Sequence, residues 1–269
     1  LHIISGINPF ASQYVLKPKE NFKTPPMLYT ISDNGKGEIT RRFHSWARKY
    51  GTHKSERPHM TLLNNWEATY FDFDENVLKQ IIGDASDMGF DLFLLDDGWF
   101  ANKYPRNNDE AGLGDWDVNK KKLPNGIGEL IKESETKKIK FGIWIEPEMV
   151  NPKSELYEKY PDWVITAPNR PLNLSRNQLI LDLSNPKVQD HVFSVVDKLL
   201  TEYPNIAYIK WDCNRYMTNV GSSFLPADKQ SHLFIKYTEG LFSVLKRMRA
   251  KFPDVSVMLC SGGGGRIDY

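Results

Sequence analysis

From residue 59 onward the chain alternates short runs of strand formers with longer stretches at helical spacing, and five of the runs stop abruptly in polar or glycine residues. Residues 60–63 lead into Asn64-Asn65-Trp66-Glu67, and residues 91–95 end in Asp96-Asp97-Gly98-Trp99. Residues 140–145 end in Glu146-Pro147-Glu148, residues 206–211 in Asp212, Asn214 and Arg215, and residues 255–259 in Cys260-Ser261-Gly262. The spacing predicts helices over 74–88, 127–137, 186–203 and 228–251. The first opens on Asp74 and Glu75 with Val77, Leu78, Ile81, Ile82 and Ala85 on one stripe, and the third follows the Ser184-Asn185-Pro186 cap signal. Strands that alternate with helices argue for a parallel sheet with helical crossovers. The polar ends then collect at one carboxyl edge, which is where a (β/α)₈ barrel carries its active site. An open doubly wound sheet also places ligands at carboxyl ends, but at one switch point. Five consecutive strand ends with candidate groups fit a ring better.

About 210 residues from His59 supply five such units, whereas a full barrel takes about 250 residues. The expected fold class is therefore α/β, an incomplete (β/α)₈ barrel preceded by the last strands of a β-sandwich. Residues 1–34 read as strands and turns, residues 35–57 as a connecting helix (from about Glu38 to Tyr50) and linker, and residues 58–269 as the partial barrel. The chain opens at Leu1 without methionine and stops just after a glycine run, so both ends are expected to be cuts.

The charge balance narrows the partners. Lys and Arg number 35 against 34 Asp and Glu, a formal net charge of +1, which gives no pull toward nucleic acid or an anionic membrane. No stretch approaches the roughly 20 apolar residues of a membrane span. The two cysteines, Cys213 and Cys260, make neither a disulfide framework nor a zinc site. Glu146 and Glu148 lack a histidine or a third clear ligand for a metal. The glycines at 262–265 are followed by Arg266 rather than the Lys-Ser or Lys-Thr of a phosphate loop. Six histidines occur without a serine or cysteine nucleophile motif.

The stretch Ile206-Ala-Tyr-Ile-Lys-Trp-Asp-Cys-Asn-Arg215 carries the chemistry most directly. Alternation along a strand sends Lys210, Asp212 and Asn214 to one side and Trp211 to the other. A lysine beside an aspartate favours the ionised carboxylate that a nucleophile requires. A structural ion pair is the plainer reading of any single Lys-x-Asp; the similar endings of the other strands overturn it here. Asp96 and Asp97 offer acceptor oxygens suited to vicinal sugar hydroxyls, or a turn cap. Trp66, Trp99, Trp144 and Trp211 supply either core packing or flat faces for a pyranose ring. Arg176 reads by default as an exposed loop charge.

Several long motifs then coincide with a known family. Asn65-Trp-Glu-Ala-Thr-Tyr-Phe-Asp-Phe73, Leu95-Asp-Asp-Gly-Trp-Phe100, Gly142-Ile-Trp-Ile-Glu-Pro-Glu-Met149, Lys210-Trp-Asp-Cys-Asn-Arg215 and Cys260-Ser-Gly-Gly-Gly-Gly-Arg266 resemble the family 36 glycoside hydrolases, the bacterial-type α-galactosidases or melibiases. The resemblance extends to Ser5-Gly-Ile-Asn-Pro-Phe10, which looks like the end of that family's N-terminal β-sandwich. It implies retaining hydrolysis of terminal α-1,6-galactosides such as melibiose and raffinose, with no metal and no organic cofactor. It implies that Asp212 is the nucleophile, that Asp96 and Asp97 hold the far hydroxyls, and that Lys210 and Asn214 hold those nearer the reacting carbon. Trp144 would pack on the ring, Arg176 would line the pocket, and Cys260 with Gly262 would form its wall. The family's acid/base aspartate follows the glycine-rich motif; Asp268 lies inside that motif, so the acid/base is expected outside this chain. A related α-galactosyl transferase, an α-N-acetylgalactosaminidase and a non-catalytic galactoside-binding fragment are the alternatives. The expected partners are a small galactoside and, for the parent protein, further copies of itself; the expected compartment is the cytoplasm.

Overall fold

A computed structural model of the chain describes every residue except 1, 10, 11, 53 and 264–269. Asp268 and the end of the glycine run lie outside the described residues. In chain order the elements are α1 (Lys36–Trp46), a π turn (Ala47–Gly51), β1 (Leu62–Asn64), α2 (Trp66–Thr69), α3 (Glu75–Asp87), β2 (Leu92–Leu95), α4 (Ile127–Thr136) and β3 (Lys140–Ile145). They continue with β4 (Met149–Val150), α5 (Glu155–Lys159), β5 (Leu179–Ile180), α6 (Pro186–Glu202), β6 (Ile206–Trp211), α7 (Leu233–Lys251) and β7 (Ser256–Leu259).

Five strands form one sheet in the order β1-β2-β3-β6-β7. Every pairing in it is parallel, with Leu94 opposite Gly142 and Trp144 opposite Lys210. Crossover helices separate the strands, so the sheet has the curled form of part of an α/β barrel. All four residues of β2 are buried, as are the last five of β3; a parallel strand covered on both faces must be apolar throughout. Gly142 lets β3 sit close against its neighbours, because a Cβ there would meet Leu94 Cδ1 and Tyr208 Cβ at 3.0 Å each.

The helices follow the predicted spacing because their start signals are local. Asp74 accepts from the Asn76 and Val77 N–H groups at the head of α3, which buries Leu78, Ile82 and Ala85. Asn185 accepts from the Lys187 N–H ahead of Pro186, and α6 buries Val188, Val192, Val196 and Leu200. Val77, assigned to the buried stripe of α3, is instead 38% exposed at its edge.

Other expectations differ from the structure. No strand forms among the described residues of 1–34; a strand without a partner leaves its N–H and C=O groups unpaired and is not stable alone. Part of this segment rests instead on the start of the last helix. Tyr14 stacks on His232 with centroids 4.1 Å apart, and the Val15 N–H donates to His232 Nε2 at 3.0 Å. The helix expected from Asp228 begins as a 3₁₀ turn, Ala227–His232, and becomes α-helical only at Leu233. The antiparallel pair β4 and β5 was not foreseen, since two-residue strands carry no readable period. No helix among the described residues is long and apolar enough to cross a membrane.

Candidate active site

The carboxyl ends of β1, β2, β3, β6 and β7 bring together a cluster of buried carboxylates with donors arranged around them. Asp96, Asp97, Glu146 and Asp212 are each no more than 6% exposed. Parallel pairing sets this arrangement, because adjacent strands that stop in register deliver their terminal side chains to one rim.

Asp212 follows β6 directly. Its backbone N–H donates to Ile145 O at 2.8 Å, which ties the end of β6 to the end of β3. Its Oδ2 accepts from Trp144 Nε1 at 3.0 Å, and its Oδ1 accepts from the Cys213 N–H at 2.9 Å. The indole expected as a platform thus also fixes one carboxylate oxygen. The Trp144 ring runs nearly parallel to Phe100, with an interplanar angle of 6°.

Lys210 was expected to serve Asp212. Its ammonium donates to Asp96 Oδ2 at 2.8 Å, across to the end of β2, and acts on the Asp212 charge from beside it without an ion pair. Burial alone would lower the lysine's pKa, but the Asp96 carboxylate holds it above the usual range. Asp96 Oδ2 also accepts from Asn64 Nδ2 at 2.6 Å, while its backbone N–H donates to Asn65 Oδ1 at 2.8 Å. Asp97 is held by Arg106, whose Nε donates to Oδ1 at 3.0 Å and whose Nη2 donates to Oδ2 at 2.8 Å. Burial pushes the Asp97 carboxyl up, against the pull of that guanidinium. Arg106 is 1% exposed and also donates to Asn151 Oδ1 and Ala111 O. Asp96 and Asp97 each therefore have a buried or half-buried cation of their own.

Glu146, at the end of β3, has none among the described residues. It is fully buried; its Oε1 accepts from the Asn214 N–H and its Oε2 from Gln178 Nε2 at 3.0 Å. Burial first, and then the neighbouring Asp212 charge, push its pKa up to about 8. The folded chain therefore keeps a proton there that the unfolded chain releases. The linked stability is full below about pH 4.3 and is lost as pH rises through about 8.

The far side of the rim is closed by β7. Cys260 donates its N–H to Trp211 O at 2.7 Å, Ser261 Oγ donates to Cys213 O at 2.8 Å, and the Gly262 N–H donates to Asn214 Oδ1 at 3.1 Å. Burial raises the Cys260 thiol pKa. On the opposite face of β6, Trp211 Nε1 donates to Glu148 Oε1 at 2.8 Å, and the Tyr237 hydroxyl of α7 donates to the same carboxylate. Glu148 thus braces the sheet against its outer helix.

The structure joins Asp96, Asp97, Trp144, Lys210, Asp212, Asn214, Cys260 and Gly262 through a continuous set of contacts around the rim. Arg176 is not joined to them: it is exposed at φ 52°, with no hydrogen bond or ion pair to the cluster. Trp99 and Trp211 are core residues, 1% and 0% exposed. Asn64, Arg106, Glu146 as a hydrogen-bonded member, and Gln178 were missed. Asn64 ends a strand as the aspartates do and could have been found by that rule; Arg106 and Gln178 lie in irregular segments with no period. Among the described residues no group of three or more His, Cys, Asp or Glu could hold a metal ion.

A family model described as Melibiase matches residues 21–269 of this chain. The alpha-galactosidase AgaA of Geobacillus stearothermophilus is 44% identical over 267 residues, which cover 98% of this chain and 36% of that protein. The alpha-galactosidase Mel36A of Lactobacillus acidophilus is 40% identical over 270 residues, covering 100% of this chain and 36% of its own. Among solved structures, a variant of AgaA in complex with raffinose superposes with a TM-score of 0.94 at 43% identity, over 98% of this chain and 36% of that one. A variant in complex with stachyose gives 0.94 at 42%, with the same coverage. The chain spans about a third of the length of the curated relatives it matches (36%).

Proposed function

The chain belongs to the melibiase family, and from that premise we propose that it carries the nucleophile side of an α-galactosidase active site. One observation supports this above all: Asp212 stands at the end of β6 with one oxygen fixed by the Trp144 indole, beside two carboxylates that already have cations of their own. The pairing of Asp96 with Lys210 and of Asp97 with Arg106 leaves Asp212, of these three, as the carboxyl available for chemistry.

In the proposed reaction an Asp212 carboxylate oxygen attacks the anomeric carbon of a bound galactose. The C–O bond to the leaving sugar breaks as the new C–O bond forms. The leaving oxygen takes its proton from a second carboxyl, about 5–5.5 Å from the nucleophile in a retaining enzyme and outside the described residues. Water, deprotonated by that same group, then attacks the anomeric carbon and releases Asp212. Asp96 and Asp97 accept hydrogen bonds from the far hydroxyls while keeping Lys210 and Arg106. Lys210 and Asn214 serve the hydroxyls nearer the reacting carbon, Trp144 covers the ring, and Cys260 and Gly262 form the wall, with Arg176 brought in from its loop. The substrate class is a terminal α-1,6-galactoside of the raffinose and melibiose type. The raffinose and stachyose complexes of AgaA variants support that choice. In the full-length protein, residues 58–269 contribute to a closed (β/α)₈ barrel and residues 1–34 to the end of a β-sandwich, with 35–57 connecting them.

Stereochemistry tests the two-step route. Proton NMR of the full-length protein acting on an aryl α-galactoside is expected to show α-galactose as the first-formed sugar, with the β anomer appearing only at the rate of mutarotation. Initial accumulation of β-galactose would mean direct attack by water and would remove the covalent role of Asp212.

A further inference from the structure

The two carboxyl groups of the rim that make no ion pair among the described residues, Glu146 and Asp212, lie beside one another. Twelve ion pairs join described residues; one is to Asp96 and one to Asp97, but none is to Glu146. A carboxyl that is buried, uncompensated and next to another anion cannot hold its charge at modest cost. Of the two, Glu146 is the more enclosed, at 0% exposure against 5% for Asp212. The groups that face it are Asp212, Asp97 and Arg106, the last committed bidentately to Asp97, together with the Asn214 N–H and the Gln178 amide.

We propose that Glu146 is a positioning residue that works as a neutral carboxylic acid: it fixes the backbone of Asn214, two residues beyond Asp212, without placing a second negative charge beside the nucleophile. This rests on the reading of Asp212 given above.

The geometry explains why a carboxyl stands here. One oxygen is needed as acceptor for the Asn214 N–H, whose side chain in turn accepts from Gly262 and so ties the end of β6 to β7. The other oxygen meets Gln178. The Gln178 Nε2 donates to Glu146, and its Oε1 is buried without a partner among the described residues. Turned over, the amide presents that Oε1 as acceptor for the O–H of the acid, an exchange that leaves the heavy-atom shape unchanged. The backbone of Gln178 is itself held, because Arg215 donates to its carbonyl and to Asn173 O. The loop that carries the amide is thereby anchored to the segment that follows Asp212. Burial and the Asp212 charge keep the proton on Glu146 up to about pH 8.

The test uses the full-length protein and an aryl α-galactoside with a good leaving group, so that the first step does not depend on the proton donor. Glu146→Ala removes the acceptor for a buried N–H and is expected to lower kcat/KM about 10- to 100-fold. Glu146→Gln supplies a neutral acceptor of the same shape and is expected to recover that loss to within about threefold of wild type, an allowance of roughly half a hydrogen bond. The acid limb of kcat/KM, which reports protonation of the nucleophile in the free enzyme, is expected to stay in place in Glu146→Gln. An ionised Glu146 would instead place a second negative charge beside the nucleophile, so its replacement by Gln would move that limb down by about one unit or more. Such a shift overturns the proposal, as does a Glu146→Gln variant as slow as Glu146→Ala. If the alanine variant fails to fold, the glutamine variant's pH profile decides alone. Labelling of wild type by a mechanism-based inactivator separates the two readings. A label away from Asp212 removes the premise; a label on Asp212 with a shifted limb removes only the role of Glu146.

Discussion

Asp212→Ala in the full-length protein is expected to lower kcat/KM for an aryl α-galactoside by about four orders of magnitude or more, the scale on which loss of a covalent nucleophile acts. The size follows from the absence of a substitute among the described carboxylates of the rim. Asp96 is paired with Lys210 and Asp97 with Arg106, and each would have to give up its cation and move. Glu146 is enclosed and bonded to Asn214 and Gln178. The fold is expected to persist, because the Asp212 N–H to Ile145 O and Cys260 N–H to Trp211 O bonds are backbone to backbone and survive the substitution. The Trp144 Nε1 and Cys213 N–H donors lose their acceptor, at about 1–3 kcal/mol each if they stay buried and unsatisfied, and the Cys260 thiol loses its hydrogen bond to the same carboxylate. A variant within tenfold of wild type would contradict the assignment; circular dichroism confirms that the comparison is between folded proteins.

Arg106→Met is expected to cost about 3–5 kcal/mol of stability, because it leaves the Asp97 carboxylate buried with its cation removed. The guanidinium is 1% exposed and donates to four acceptor atoms on three residues, two of them on Asp97. The Asn151 side chain that it meets also accepts from the Leu113 N–H and donates to Asp109 O and Asn177 O. Removing Arg106 thus loosens the irregular segment between β2 and α4 together with the loop before β5. The double variant Asp97→Asn with Arg106→Met carries no stranded charge and is expected to regain a large part of the loss. Urea unfolding of the two variants measures the difference. Equal stabilities would show that the charge of Asp97 is not what Arg106 compensates.

The sheet and its long helices were legible because their signals are short-ranged. Continuous apolar runs such as Leu92–Leu95 mark a buried parallel strand, and Asp74 and Asn185 mark helix starts by capping the next turn. The polar residues that interrupt those runs gave Asp96, Asp97 and Asp212 directly, since a strand end is a fixed place in such a fold. What sequence could not supply was the pairing across the rim. Lys210 stands two residues from Asp212, yet its ammonium bonds Asp96, 114 residues away. That choice depends on β2 and β6 facing one another at the rim with β3 between them in the sheet, which local spacing does not encode. Arg106 sits in a stretch of turns, and Gln178 beside a two-residue strand, so neither carried a pattern. Trp144 was placed correctly at a strand end, but its donor role toward Asp212 required knowing which strand is the neighbour.

The covalent bond itself is the most direct measurement. The full-length protein, treated with a fluorinated mechanism-based α-galactosyl inactivator and digested with trypsin after Lys210 and Arg215, should yield residues 211–215 heavier by one fluorogalactosyl group, with fragmentation assigning it to Asp212. Appearance of that mass on a peptide that lacks Asp212, with residues 211–215 unmodified, would contradict the account at its centre.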